Sequence, residues 1–106
     1  MRIKKRPIIV EAVCVNCVLL AVDKAPAMLP PWVREAIRTA GLRRHADAGF
    51  WVETPEGEAW ASRMHWIVQG VRGELYPILE VILRDTYRRV DGTDLGLCPR
   101  PSCLAP

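Results

Sequence analysis

The sequence predicts one α+β domain: a small, mainly antiparallel sheet of four to five strands packed on one main helix, with a second short helix. Two stretches carry that prediction. Residues 49–58, GFWVETPEGE, run from β-favouring residues into a Pro-Glu-Gly turn and on into a second apolar run, the pattern of a hairpin. Residues 31–40 place Trp32, Val33, Ala36, Ile37 and Ala40 at helical spacing, with Arg34, Glu35 and Arg38 elsewhere. The 106 residues suffice for a single domain with a modest core.

The elements follow in order. Pro7 opens a β-rich run, predicting a strand over residues 8–14, since proline suits a strand start. Residues 14–20 are apolar and ambiguous between a longer strand and a short buried segment. A loop over 23–31 holds three prolines. Pro30 and Pro31 open the main helix, and Gly41 supplies its stop. Residues 42–48 read as a polar connection. Strands are expected at 50–53, 58–62 and 66–71. Gly70 and Gly73 mark a bulge or tight turn, and 74–76 forms a short fifth strand. Pro77 opens the second helix, with Ile78, Val81 and Ile82 on one side. Residues 86–90 return to β character and Asp91-Gly92 turns the chain. The domain is therefore residues 1–92, followed by a Pro-rich tail over 93–106.

Composition bounds the function classes. The longest apolar runs fall well short of the roughly 20 residues of a bilayer span. Arg2, Lys4, Lys5 and Arg6 before an apolar stretch resemble a signal peptide, but Glu11 and Asn16 interrupt that stretch. The net charge of +3 is concentrated there: four of 15 basic residues lie in the first six positions, leaving 11 basic against 12 acidic. Such a segment suits phosphate contact or a solvated strand leader that protects an edge.

Several constellations invite chemistry and each has a structural alternative. Cys14 and Cys17 form a C-x2-C pair, and Cys98 and Cys103 a C-x4-C pair. Four thiolates suit structural zinc, yet the first pair sits in an apolar run and the second in the tail, so no metal is expected. A redox motif needs a helix starting at the first cysteine, and the residues offer none; buried free thiols at 14 and 17 are the preferred reading. Ser62 and His65 with an acid would make a triad only on paper. Glu53, Glu56 and Glu58 cluster about the hairpin, where solvated carboxylates commonly gather. The tryptophans Trp32, Trp51, Trp60 and Trp66 are four of seven aromatic residues. Strand alternation puts Phe50 and Trp51 on opposite faces, one core and one more exposed, and an exposed tryptophan suits a partner surface.

Five blocks carry a resemblance: IKKRPIIVEA at 3–12, LPPWVREA at 29–36, residues 49–62, IVQGVRGELYP at 67–77, and TYRRV at 86–90. Together they resemble a family of small phage and prophage proteins without an established activity. The chain departs from that family at Arg63-Met64-His65, where the family usually has Pro-Gly-Asp, and at residues 78–81, where it usually has a Cys-Lys-Pro-Asp-like segment. The resemblance implies a phage or prophage accessory protein in the cytoplasm of a bacterial host, and it supplies no catalytic residue or cofactor.

Three readings result. The first is non-catalytic binding of a host or phage macromolecule, with inhibition of a bacterial defence such as CRISPR as one form. Its tentative partner-binding residues are Trp51, Trp60, Arg63, His65 and Arg72, and self-association stays open. The second is nucleic-acid binding through the basic N-terminus, Arg43, Arg44 and exposed tryptophan. The third is a nucleotide or small-ligand binder with a pocket beside residues 70–76, which requires a ligand-sized cleft.

Overall fold

Strand pairing divides the chain into two interleaved three-stranded sheets rather than one sheet of four or five strands. The computed structural model describes residues 1–3 and 9–87. The first sheet has the order β1 (Glu11–Cys14), β5 (His65–Gln69), β6 (Leu75–Leu79). The second is a meander of β2 (Leu42–His45), β3 (Gly49–Thr54) and β4 (Gly57–Ser62). Every pairing is antiparallel. The helices are α1 (Val15–Lys24), α2 (Pro31–Arg38) and α3 (Glu80–Thr86), with a 3-10 turn at Pro26–Met28.

The ambiguous stretch after Cys14 is helical, and α1 is the main core helix. Val15, Cys17, Val18, Leu19 and Ala21 are buried. Asn16, Leu20, Asp23 and Lys24 fall four, three and one residues apart and face outward or nearly so. Alternation over so short an apolar run does not separate strand from helix; tertiary burial on nearly all sides decides it. α1 touches both β3 and β5, so it joins the two sheets. The expected main helix, α2, buries only Val33 and Ala36.

The expected polar connection at 42–48 contains β2. Leu42 is buried opposite Val52, while Arg43 and Arg44 reach carboxylates at the surface. One buried leucine and two ion-paired arginines thus make a strand that composition disguises. Pro77 lies within β6 opposite Ile67, rather than opening a helix. Among the described residues β6 is an edge strand, where a missing donor costs no ladder bond, and the helix begins at Glu80. α2 ends at Arg38, and the left-handed residue after it is Ala40 (φ 64°), not Gly41. The 70–74 segment is the tight β5–β6 turn: Gly73 N–H donates to Gly70 O (3.0 Å) and Gly70 N–H to Glu74 O (2.8 Å). The expected strand over 86–90 and the tail fall largely or wholly outside the described residues.

The core between these elements includes Val13, Val15, Val18, Phe50, Val52 and Ile67, each almost wholly buried. Gly49 sits where β3 passes closest to β4: a Cβ there would lie 2.0 Å from Ala61 O. That approach fixes the register of the meander, and hence the face described next.

Candidate partner-binding face

The outer face of the meander is built by strand alternation. Phe50 and Val52 point inward and are buried, whereas Trp51 and Glu53 point outward. Register then sets Arg43, Trp51 and Trp60 in one row across the three strands. The Trp51 and Trp60 rings lie 5.0 Å apart, tilted by 57°, within the range of attractive aromatic pairs. His45 meets Trp60 edge-on at 5.9 Å. Trp51 keeps 38% of its surface exposed although its backbone neighbour Phe50 is buried.

One row along, Glu53 and Glu58 stand directly opposite each other. Like charges so placed repel, and Arg43 answers both. Its guanidinium reaches Glu53 (3.5 Å), bonds closely to Glu58, and donates to Ala40 O (2.7 Å). These groups are exposed, so each pair contributes at most about 1 kcal/mol. Glu56 sits in the turn, where its N–H donates to Thr54 Oγ1 (3.1 Å). The carboxylates of Glu53 and Glu58 thus hold an arginine, and Glu56 contributes its backbone N–H to the turn.

Arg44 points the other way. It grips Asp23 of α1 (2.6 and 2.9 Å), Asp47 (2.7 Å) and Ala46 O (2.8 Å). Its hydrogen bonds hold the Asp23 carboxyl below the usual range, and the same bonds raise its own pKa. Arg43 and Arg44, expected as phosphate ligands, are therefore both occupied by carboxylates.

The other three expected contact residues lie elsewhere. Arg63 donates to Asp47 O (2.6 Å) and to Asn16 Oδ1 (2.5 Å), tying α1 to the β2–β3 loop. His65 closes the β4–β5 turn: Nδ1 accepts the Ser62 N–H (3.0 Å) and lies 2.9 Å from Ser62 Oγ. Ser62 Oγ in turn accepts the Met64 N–H (3.1 Å). An Nδ1 that accepts a backbone N–H places the imidazole proton on Nε2. Ser62 and His65 do meet, in a turn staple, and among the described residues no carboxylate hydrogen-bonds the ring. Burial pushes the His65 pKa down. Arg72 is exposed in the β5–β6 turn, at the opposite end of β5 from His65. The structure thus unites Trp51 with Trp60, sets Arg63 beside His65, and separates Arg72 from all four. Arg43 and His45 complete the aromatic face, although the sequence places both in a polar connection.

The C-x2-C pair is placed differently from expectation. α1 does start at the first cysteine. Cys14 is its N-cap, and Cys14 Sγ accepts the Cys17 N–H (3.4 Å). The free-thiol reading stands at Cys14 and is corrected at Cys17, which is disulfide-bonded. Both residues are buried, Cys14 being 4% exposed, and reactive cysteines need access as well as a helix N-terminus. Among the described residues no group of three or more metal-ligating side chains occurs; Cys98 and Cys103 lie outside them.

A cleft of about 370 Å³ opens where α2, the β3–β4 hairpin and the β5–β6 turn converge. It adjoins residues 70–76, as the small-ligand reading requires. Trp32, Pro55 and Leu75 supply apolar wall, and Glu35, Glu53 and Glu74 supply carboxylates. Among the described residues no Lys or Arg lines it. Trp32 Nε1 is buried without an acceptor among the described residues, a cost of about 1–3 kcal/mol. No helix among the described residues is long and apolar enough to cross a membrane. Comparison with protein-family models, curated proteins and solved structures finds no match to the chain.

Proposed function

We propose that this chain is a phage or prophage accessory protein that binds a host or phage protein without catalysis, an anti-defence inhibitor being one form of that role. The observation that carries the reading is the Trp51–Trp60 pair, held in register on an outer sheet face with Trp51 38% exposed. A large aromatic surface left in water is costly unless something covers it, and tryptophan and arginine dominate the energetics of protein interfaces. The face is rigid, since it is drawn from three hydrogen-bonded strands, so little order is lost on docking. A protein partner is favoured over nucleic acid because the arginines on and beside this face already hold carboxylates. A phosphate backbone would have to displace them.

The test is affinity purification of the tagged protein from bacterial lysate, with and without nuclease, beside a W51A/W60A variant. A stoichiometric protein that survives nuclease and is lost in the variant supports the reading. Nucleic acid that disappears with nuclease, or a partner retained undiminished by the variant, refutes it.

A further inference from the structure

The cleft between α2 and the β5–β6 turn differs in chemistry from the aromatic face. Among the described residues, its lining combines apolar wall with three carboxylates and no cation. That lining offers a nucleotide's phosphates no positive partner. It suits a ligand with a positive head and an apolar stem.

The carboxylates are positioned differently. Glu35 is held by Arg38 (2.5 and 2.9 Å), and Glu53 is approached by Arg43 at 3.5 Å. Glu74 has no basic partner among the described residues. Its Oε2 takes only the backbone N–H of Arg72 (3.1 Å), and its main-chain O takes that of Gly70 (2.8 Å). The side chain folds over Gly70 so closely that a Cβ there would lie 1.7 Å from Oε1. The turn therefore presents a carboxylate without a basic partner among the described residues at the rim of a cleft walled by Trp32 and Leu75. A positive head on an apolar stem is what an arginine or lysine side chain of a peptide supplies.

We propose that this cleft binds a basic peptide, seating one arginine or lysine side chain along Trp32 and Leu75 with its cationic head toward Glu74. The cleft volume, about 370 Å³, lies at the small end of ligand sites, which suits one side chain rather than a folded surface. The inference does not rest on the aromatic face. The cleft can be filled while that face stays empty.

The probes are the peptides Gly-Gly-Arg-Gly-Gly and Gly-Gly-Gln-Gly-Gly, titrated into the full chain and followed by amide and indole NMR shifts. The arginine peptide should saturate shifts at the Trp32 indole and at Glu74, weaken with salt, and bind at least several-fold more tightly than the glutamine peptide. The E74Q variant should weaken it by roughly threefold to fivefold, the scale of one partly exposed charge pair. Gly70→Ala keeps every charge but displaces the Glu74 carboxylate, and should weaken binding as well. W51A/W60A should leave it unchanged. Equal titration by the two peptides, shifts confined to other surfaces, or undiminished binding by E74Q would overturn the proposal. Titration of the two peptides into the wild-type chain decides between these outcomes even where a variant folds poorly.

Discussion

Replacing Gly49 by alanine should cost about 2–5 kcal/mol of stability. The new Cβ would stand 2.0 Å from Ala61 O, against at least 3.4 Å for ordinary contact. It would also lie 3.0 Å from Ala61 C and 3.1 Å from Ser62 Cα. All three atoms are backbone, so no side chain can swing aside, and β4 must retreat by more than 1 Å. That movement breaks the ladder at Gly49–Ser62 and Phe50–Ala61. Two ladder bonds contribute about 0.5–1.5 kcal/mol each, and a positive φ of 156° adds about 1–2 kcal/mol for an L residue. Urea unfolding reads the loss directly. With a slope of about 1–3 kcal/mol/M, the midpoint falls by roughly 1–2 M. Gly57→Ala is the control. Gly57 also has positive φ (112°), but a Cβ there meets nothing within 4 Å, so that variant should lose only about 1 kcal/mol. Equal losses in the two variants would refute the close-contact argument and leave backbone conformation as the whole effect.

Three further predictions concern separate features. Ala40 holds a left-handed conformation at the end of α2, so Ala40→Gly should stabilise the fold by about 0.5–1 kcal/mol, seen as a rise of several degrees in thermal midpoint. Burial lowers the His65 pKa, so its folded value lies below its unfolded one. Its contribution is then fully present above pH 6.5 and lost as pH falls through the folded pKa. NMR titration of the ring should give a midpoint below 6.5, and stability should climb as pH rises from below that midpoint toward 6.5, a climb absent from His65→Gln. Cys14 is free and 4% exposed, so iodoacetamide should modify it only as fast as the protein opens. Labelling at the rate of an exposed thiol would contradict its burial.

The residues announce some of this architecture and conceal the rest for identifiable reasons. Alternation through Phe50, Trp51 and Val52 places each side chain on the face where it lies. The Pro-Glu-Gly turn and the Gly70–Gly73 turn are equally legible, because local backbone chemistry decides them. α1 is not, because its sequence is apolar on nearly every side and periodicity carries no contrast. β2 is masked by charge: Arg43 and Arg44 look like solvated loop residues until their carboxylate partners, Glu58 and Asp23, are brought near in space. Pro77 reads as a helix opener because edge position, which tolerates it, is a property of the sheet. The candidate face divides similarly. Trp51 and Trp60 can be paired across one hairpin, whereas Arg72 ends up at the far end of β5, and Trp32 and Glu74 come to line one cleft only through tertiary packing.

The interleaving of the two sheets also dictates an order of assembly. The meander closes through short loops, β2 to β3 to β4, whereas β1 must find β5 across 52 to 58 residues. The entropy of closing a loop grows with its length, and contacts distant in sequence slow folding. Once the meander has formed it shortens the effective span between β1 and β5, and α1 can then settle across both. The meander is thus the kinetic template on which the rest of the chain condenses. Substitutions at Gly49 should slow refolding, while substitutions in β1 should mainly hasten unfolding.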